Sequence, residues 1–339
     1  MQTPQSAGPF RAPADSYYSA KSVLITGGRG YLGSCISTAL AESGARLYLL
    51  DDSNSSWRPE IDKNVSLIRA NVMQVDDYEE ILDKVDIIFH LAALEFKRVD
   101  YSLLEDYLNN AKPAADIMAA CVRRSVRPTI VFSSSSNIFG IQQSMPVSER
   151  SPDNPPSLWS AHKLVAEKYI SYYSTKYGFK TLTLRLPNIF GTTRRRDTFG
   201  RSSINKMILD ALWTGEISLY ANANCRRDQI LTDDASRAFL LAGLHARRWP
   251  DRSNFVLGCG VSHTYASIAT MISEYVAELT GRSVSLKYNT DKYDDPIDRR
   301  DFVADFQEFS GLTGWTPGTT IADGLRQTIM FALNEGIRQ

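Results

Sequence analysis

The most constraining feature of the sequence is a glycine run that directly follows a short apolar stretch at 23–25. Gly27 permits a tight turn, Gly30 lets a pyrophosphate approach the backbone, and Gly33 lets a helix pack closely against the strand. A helical pattern begins near Tyr31. This order of strand, glycine turn and helix predicts a dinucleotide-binding βα unit. The complete run reads Thr26-Gly27-Gly28-Arg29-Gly30-Tyr31-Leu32-Gly33.

An acidic residue ends the next apolar stretch. Asp51 follows Leu47-Tyr48-Leu49-Leu50, close to the interval of about 20 residues at which such folds place the group that bonds the adenosine ribose. A carboxylate there accepts a hydrogen bond from the 2′-hydroxyl and repels a 2′-phosphate, and Asp52 could share this role. The sequence therefore favours NAD over NADP as the cofactor.

Short apolar runs alternate with amphipathic stretches from Lys21 onward. This alternation predicts an α/β fold with a doubly wound parallel Rossmann sheet covered on both faces. The apolar runs lie at 23–26, 47–50, 66–69, 87–91, 129–133 and 181–186, and the helical patterns at about 31–43, 76–83, 101–124, 158–177 and 202–214.

The same pattern predicts the domain organisation. Residues 1–20 contain several prolines and no periodicity, so a flexible N-terminal arm is expected. The NAD-binding Rossmann domain is predicted at 21–190 with a return at about 228–258, and a smaller C-terminal substrate-binding lobe at 191–227 and 259–339. This lobe should close over the carboxyl ends of the strands, where such folds bind ligands.

Charge and cysteine content argue against several classes of function. Lys plus Arg and Asp plus Glu both number 38, so no global field draws the protein to nucleic acid or an anionic membrane. No apolar stretch reaches the roughly 20 residues of a membrane span, and a cytoplasmic location is expected. Neither disulfides nor a metal site are expected, because the cysteines are widely spaced and lack partners at metal-ligand spacing; they are Cys35, Cys121, Cys225 and Cys259.

The glycine run has the form T-G-x-x-G-x-x-G, which resembles that of the extended short-chain dehydrogenase/reductase family, of the NAD-dependent nucleotide-sugar epimerase and dehydratase type. The similarity extends from Lys21 to about Ile329. It implies bound NAD, a nucleoside-diphosphate sugar or related small molecule as substrate, and a homodimer formed through the helices near 101–124 and 158–177. The cofactor contacts that motif and resemblance together imply are Gly27, Arg29, Gly30, Tyr31, Leu32, Gly33, Asp51, Asp52, Asn71, Val72, Leu91, Ala92, Ala93, Asn110, Lys163 and Pro187.

The resemblance also implies substrate contacts. Ser135, at the end of the stretch 129–135, occupies the position of the catalytic Ser or Thr. Asn188 and Arg227 match the amide and the arginine that reach the nucleotide sugar. Glu95 falls where the family places a cofactor-loop residue near the substrate.

Two motifs depart from the family pattern. Dehydratases carry an Asp-Glu pair where this chain has Ser136-Asn137, so elimination of water by that mechanism is not expected. The usual Arg-Pro-x-Asp element reads Asp295-Pro296-Ile297-Asp298 here. One phosphate contact is therefore missing, unless Arg299 or Arg300 replaces it.

The largest departure is in the catalytic dyad, Y-x-x-x-K. The stretch in register reads Trp159-Ser160-Ala161-His162-Lys163, so Lys163 is retained and Trp159 stands in the place of the tyrosine. An indole N–H donates a hydrogen bond but does not titrate near neutral pH. Trp159 therefore cannot take a hydroxyl proton as hydride leaves the carbon.

Three interpretations remain open. In the first, the protein is an NAD-dependent epimerase or oxidoreductase and His162 or Glu95 supplies the proton, although a helix-borne His is more often a packing or surface residue. In the second, it is a catalytically silent NAD-binding protein with a structural or regulatory role, and Trp159 stacks in the nicotinamide pocket. In the third, the site has changed reaction class.

Two further features receive a structural interpretation. The run Arg194-Arg195-Arg196 could clamp a diphosphate, but such a charge run is more often a solvated loop. Tyr265 and Trp315 are interpreted as packing residues of the core.

Overall fold

The computed structural model describes residues 16–61, 63–94, 102–248, 254–289, 298 and 300–338. Its strands are β1 (Ser22–Thr26), β2 (Arg46–Leu50), β3 (Val65–Ile68), β4 (Ile87–His90), β5 (Thr129–Ser135), β6 (Thr181–Leu186), β7 (Asn188–Phe190), β8 (Glu216–Leu219), β9 (Arg226–Leu231), β10 (Asn254–Val256), β11 (Ser262–Thr264) and β12 (Ser285–Tyr288). Its α-helices are α1 (Tyr31–Glu42), α2 (Leu103–Asn110), α3 (Lys112–Arg123), α4 (Leu158–Tyr177), α5 (Ser203–Trp213), α6 (Thr232–His245), α7 (Tyr265–Thr280), α8 (Gln307–Thr313) and α9 (Ile321–Asn334).

The central sheet has seven strands in the order β10-β6-β5-β4-β1-β2-β3, and every neighbouring pair is parallel. The chain moves outward from β1 to β3 and returns to β4 on the other side of β1. The doubly wound parallel sheet predicted from the sequence is therefore confirmed. The strand order reverses between β1 and β4, and open α/β sheets bind ligands at the carboxyl ends of the strands beside such a reversal.

Strand β1 shows why the sheet needs helices on both faces. Val23 and Ile25 belong to one apolar cluster together with Phe239 of α6. Leu24 points the other way, into a cluster that contains Ile117 of α3. Because successive side chains of a strand point to opposite faces, a run that is apolar at every position is stable only when both faces are covered.

The C-terminal half forms a second apolar core around two small sheets. Strands β11, β9 and β7 make one sheet, and β12 and β8 make the other. Helices α5, α7 and α9 share a cluster of buried aliphatic side chains that includes Ile208, Ile272 and Ile329. This part of the chain brings the residues after Asn188 against the carboxyl edge of the central sheet.

Three expectations about local structure need correction. The helix predicted at 76–83 consists of two 3₁₀ segments, Val75–Asp77 and Glu79–Lys84. The helix predicted at 101–124 is interrupted at Ala111, which has φ −117° and ψ −52°. The flexible arm predicted for 1–20 was drawn too long at its C-terminal end. Tyr18 is 1% exposed, and its hydroxyl donates to the Leu240 carbonyl at 2.7 Å.

No helix in the described part of the chain is long and apolar enough to cross a membrane. Among the same residues no cluster of His, Cys, Asp and Glu is suited to hold a metal ion. The four cysteines are free thiols.

Candidate active site

The glycine turn between β1 and α1 has the geometry that a pyrophosphate needs. Gly27 has φ +67°, a left-handed conformation that glycine adopts without strain. A Cβ on Gly33 would lie 2.0 Å from the Gly27 carbonyl oxygen, so only glycine fits there. No side chain caps the N-terminus of α1 at Gly30, and its first turn contains no acid. The first amides of the helix therefore remain available to an anion.

Asp51 is held in a fixed orientation at the end of β2. Its carboxylate accepts hydrogen bonds from the backbone amides of Arg29 at 3.1 Å and Ser53 at 3.0 Å. It borders a cleft of about 500 Å³ along the carboxyl edge of the sheet. The predicted cofactor residues that line this cleft are Gly27, Gly30, Tyr31, Leu32, Gly33, Asp51, Asp52, Asn71, Val72, Leu91, Ala92 and Ala93.

Two predicted cofactor residues lie behind this cleft. The Arg29 side chain is buried, and its Nε donates to the Trp57 carbonyl at 3.1 Å. Asn110 is also buried, and its Oδ1 accepts from the Leu94 amide at 3.1 Å. The neighbouring Asn109 lines the cleft instead. Arg29 and Asn110 therefore support the walls of the first cleft. The asparagine that faces this cleft is Asn109, one residue before the predicted Asn110.

The arginine run after β7 is only partly the solvated loop expected from the sequence. Arg194 and Arg196 are exposed, but Arg195 is buried and lines the first cleft. Its Nη1 donates to the Arg29 carbonyl at 2.9 Å and to Ser53 Oγ at 3.1 Å, and it forms an ion pair with Asp197 at 2.6 Å. Arg195 therefore fixes the wall beside Asp51.

A second cleft of about 520 Å³ continues the first. The two clefts share lining residues from the ends of β4, β5 and β6, among them Leu91, Ser133 and Leu186. The predicted catalytic, substrate and remaining cofactor residues that line the second cleft are Ser135, Trp159, Lys163, Pro187, Asn188 and Arg227. Glu95 lies outside the described residues.

Tyr31 connects the two clefts to the start of the C-terminal half. Its hydroxyl donates to the Gly191 carbonyl at 2.9 Å and accepts from Asn205 Nδ2 at 3.0 Å. The Asn205 Oδ1 accepts from the Gly191 amide at 3.0 Å. Tyr31 and Asn205 are buried, and burial raises the pKa of the Tyr31 phenol. The phenol is therefore a neutral structural link.

Trp159 and Lys163 lie one helical turn apart at the N-terminal end of α4. The Trp159 Nε1–H donates to the Leu94 carbonyl at 2.9 Å, and Lys163 Nζ donates to the Ser133 carbonyl at 3.0 Å. Lys163 also lies over the Phe132 ring, 4.9 Å from its centroid. Burial lowers the pKa of Lys163 to about 8, although nearby acids oppose this shift. The ammonium group is thus much more acidic than an exposed lysine.

Ser135 ends β5 beside this pair. Its side chain is mostly buried, and its Oγ accepts from the Asn137 amide at 3.1 Å. This hydrogen bond belongs to the 3₁₀ segment Ser136–Phe139, which Ser135 caps. The hydroxyl hydrogen remains available to a ligand in the cleft.

The two histidines near this region are structural. His162 does not line either described cleft; its Nδ1 contacts Asp106 Oδ1 at 2.6 Å, and its ring packs edge-on against Tyr107. His90 Nδ1 contacts Thr26 Oγ1 at 2.7 Å. Burial, with a contribution from Lys163, lowers the pKa of His90 to about 3 and keeps it neutral. His162 is therefore poorly placed for the proton transfer considered for it from the sequence.

One wall of the second cleft is basic and contains Arg227 and Arg300. Arg227 Nη2 donates to the Asp298 carbonyl at 2.6 Å, and the Arg300 guanidinium donates to Asn137 Oδ1. Asp295 and Arg299 lie outside the described residues, so of the two arginines considered as replacements, the structure places Arg300 in the cleft wall.

The structure corrects the role that the sequence indicated for Tyr265. It was expected in the core, but it lines the second cleft, and its hydroxyl accepts from Asn188 Nδ2 at 2.9 Å. Trp315, in contrast, is fully buried as expected. Other lining residues that the sequence did not indicate are Ser157, Arg201, Ser202, Ser203 and Asn222.

Known proteins resemble this chain along most of its length. A UDP-glucose 4-epimerase from Azospirillum brasilense is 26% identical over 322 residues, which cover 89% of each chain. The solved structure of a UDP-N-acetylglucosamine 4-epimerase from Methanobrevibacter ruminantium, in complex with UDP-N-acetylmuramic acid, is 26% identical with a TM-score of 0.80. It covers 93% of this chain and 99% of that one. An epimerase from Methanothermobacter thermautotrophicus has the same fold, with a TM-score of 0.85 at 22% identity and 97% of both chains covered.

The resemblance inferred from the sequence motifs is confirmed by a family model. The model is that of the NAD-dependent epimerase/dehydratase family, and it matches residues 23–258, from β1 to the segment after β10. The chain therefore belongs to the NAD-dependent epimerase/dehydratase family, and NAD is its cofactor.

Proposed function

We propose that the protein binds a nucleoside-diphosphate sugar in the second cleft and oxidises or epimerises it by hydride exchange with NAD in the first. The observation that carries this proposal is the junction of the two clefts at Ser133, with Ser135, Lys163 and Arg227 in the lining of the second. Several relatives are named as UDP-sugar 4-epimerases, which supports a uridine nucleotide as the first ligand to test.

The residues of the first cleft fit NAD. The free amides at the start of α1 would hold the pyrophosphate, and Asp51 would accept from the adenosine ribose. Asn71 would bond the adenine with its amide. Bound NAD would supply the acceptor and donor of hydride. Lys163, at the junction, would bond the nicotinamide ribose.

The residues of the second cleft orient the sugar nucleotide. Ser135 would donate its hydroxyl hydrogen to the reacting sugar oxygen, because its own Oγ already accepts from the Asn137 amide. Arg227 is buried and is bonded only to carbonyl oxygens among the described residues. Its charge would therefore face the diphosphate. Asn188, fixed by the Tyr265 hydroxyl, would bond the linkage between diphosphate and sugar.

The proton route must avoid Trp159, and we assign it to Lys163. With a pKa near 8, Lys163 has both a neutral amine and an ammonium form close to neutral pH. The amine can accept the hydroxyl proton while the carbon is oxidised, and the ammonium can return it on reduction. His162 is directed toward Asp106, so Lys163 is the better placed of the two.

A second candidate is the catalytically silent NAD-binding protein. The Trp159 Nε1–H is committed to the Leu94 carbonyl, so the indole offers the substrate no proton donor in the place of the usual phenol. In this case Lys163 would bind only the cofactor, and the second cleft would serve recognition.

One experiment separates these functions. NAD-loaded protein is incubated with a panel of nucleotide-diphosphate sugars in heavy water, and each sugar is followed by proton NMR. Conversion of one sugar, or deuterium incorporation into it, supports the enzyme. The same panel is run with Trp159→Tyr and with Trp213→Tyr as a matched control, because Trp213 lies outside both clefts on α5. An inert wild type and an active Trp159→Tyr variant would instead support the silent protein.

A further inference from the structure

Arg300 is a buried cation in the wall of the second cleft. The residue is 9% exposed, and its guanidinium donates to Asn137 Oδ1. Its Nε is buried and has no hydrogen-bond partner among the described residues. A buried polar group without a partner costs free energy unless a ligand supplies one. The guanidinium therefore has donor capacity left for a molecule in the cleft.

Carboxylates neutralise two of the other buried arginines, Arg185 and Arg195. Arg185 forms ion pairs with Glu167 at 2.6 Å and Asp153 at 2.7 Å. Among the described residues no carboxylate forms an ion pair with Arg300. Burial, together with repulsion from Arg227, lowers the pKa of Arg300 to about 10, although Tyr265 and Asp298 oppose this shift. An anion bound in the cleft would remove this penalty.

Arg300 lies toward the reaction centre. Its partner Asn137 donates its backbone amide to Ser135 Oγ at 3.1 Å, so one residue links the guanidinium to the hydroxyl assigned to the reacting sugar oxygen. Arg227 is instead held by the carbonyls of Asp298 and Arg226. The two arginines therefore face different parts of a ligand that spans the cleft.

More cations than carboxylates line the second cleft among the described residues. The cations are Lys163, Arg201, Arg227 and Arg300, and the carboxylate is Asp298. Arg201 also lines the first cleft, and Lys163 is neutral when it accepts the proton of the sugar. Arg227 and Arg300 are therefore the two cations left to face the charged groups of the nucleotide sugar.

We propose that the sugar itself carries a carboxylate, and that Arg300 and Asn137 form the site that binds it. The inference rests on the proposed function, because it places the sugar beside Ser135. A guanidinium with free donors matches a carboxylate in shape and charge, and the Asn137 amide nitrogen can supply a further donor. The substrate class is then an acidic nucleotide sugar, of the kind in which C6 is oxidised to an acid.

Calorimetry with three probes tests this on the NAD-loaded protein. The probes are UDP, UDP-glucose and UDP-glucuronate, of which the last two differ only in whether C6 is an alcohol or a carboxylate. We expect UDP-glucuronate to bind at least about tenfold more tightly than UDP-glucose, as a buried ion pair with arginine requires. Arg300→Met should abolish this preference and change UDP affinity less than about threefold. Arg227→Met, the matched control, should weaken all three ligands by a similar factor.

A second variant keeps the proposal testable if Arg300→Met does not fold. Asn137→Ala keeps the buried charge and removes only the neighbouring amide, and it should reduce the preference for UDP-glucuronate. NAD affinity should match the wild type in both variants, and each should unfold in a single cooperative transition. An equal loss of UDP and UDP-glucuronate binding in Arg300→Met would make Arg300 a phosphate ligand and overturn the proposal, as would a wild type without preference. Failure of UDP itself to bind would contradict the proposed function instead.

Discussion

Lys163 is charged at neutral pH in surroundings that disfavour an ammonium group. Burial lowers its pKa from the ordinary 10.5 to about 8. At about 1.36 kcal/mol per pKa unit, this difference makes the ammonium cost about 3 kcal/mol of folding free energy at pH 7. A neutral side chain of similar length does not have this cost. Lys163→Met should therefore stabilise the folded protein while it removes the proposed ribose contact and proton carrier.

The net gain is smaller than the charge cost alone. The methionine loses the hydrogen bond to the Ser133 carbonyl, worth about 1 kcal/mol, and the contact of the ammonium with the Phe132 ring, worth about 1 kcal/mol. We expect Lys163→Met to raise the free energy of unfolding by about 1 kcal/mol at pH 7, within the range found when functional residues are replaced.

The difference in stability between Lys163→Met and the wild type should depend on pH. The folded-state pKa of Lys163 lies below its unfolded value, so the unfolded state binds more protons between about pH 8 and pH 10.5. The wild type therefore gains stability relative to Lys163→Met as the pH rises through this window. The advantage of the variant at pH 7 should disappear by about pH 10.

Guanidinium denaturation of the NAD-free protein at pH 7 and pH 10 measures this. Lys168→Met is the matched control, because Lys168 lies on the same helix with its side chain 68% exposed, and its effect should not change with pH. A Lys163→Met effect that is the same at both pH values would refute the reasoning, since it would show that the lysine does not titrate in a buried environment.

Three further variants test the cofactor cleft and its support. Gly33→Ala should abolish NAD binding, measured by calorimetry, because its Cβ would lie 2.0 Å from the Gly27 carbonyl oxygen; retained affinity would contradict the close packing. Asp51→Asn should weaken NAD about tenfold and strengthen NADP, since it removes a charge-assisted bond to the ribose and the repulsion of a 2′-phosphate; an unchanged ratio of the two affinities would count against Asp51. Glu167→Gln should lower the free energy of unfolding by about 3 kcal/mol, because it removes one of the carboxylates that neutralise the buried Arg185. A negligible change in this free energy, measured by denaturation, would show that the ion pair does not stabilise the fold.

Elements with strong local signals could be predicted from the sequence. Helix α4 was expected at 158–177 and is Leu158–Tyr177, because Ser157 and Ser160 cap its start and Gly178 ends it in a left-handed conformation. The stretch 101–124 was predicted as one continuous helix, but Pro113 lies in the first turn of α3 and is a local signal for the interruption at Ala111. The burial of Tyr18, in contrast, depends on a hydrogen bond to Leu240, far along the chain.

The residues of the candidate site likewise fall into those indicated by local sequence and those brought together only by the fold. The glycine turn and Asp51 are local to one βα unit, so their spacing indicated the first cleft. Tyr265 reaches the second cleft from a segment that carries no motif, and only the folded chain brings its hydroxyl beside Asn188. Arg300 was one of two arginines considered in an altered motif, and only the folded chain shows that it lines this cleft. The burial of Arg195 within an exposed basic run also results from tertiary contacts, its hydrogen bonds to Arg29 and Ser53.

The buried phenol of Tyr31 has a kinetic consequence for the cofactor. It joins the helix that would hold the pyrophosphate to the Gly191 turn and to Asn205 of α5 through buried hydrogen bonds, and Asn205 in turn bonds Gly191. A dinucleotide leaving the first cleft by separation of these segments would have to break all of these bonds together, away from water. Dissociation by that route would be slow compared with exchange of the nucleotide sugar. NAD would therefore remain bound from one catalytic cycle to the next and would co-purify with the protein.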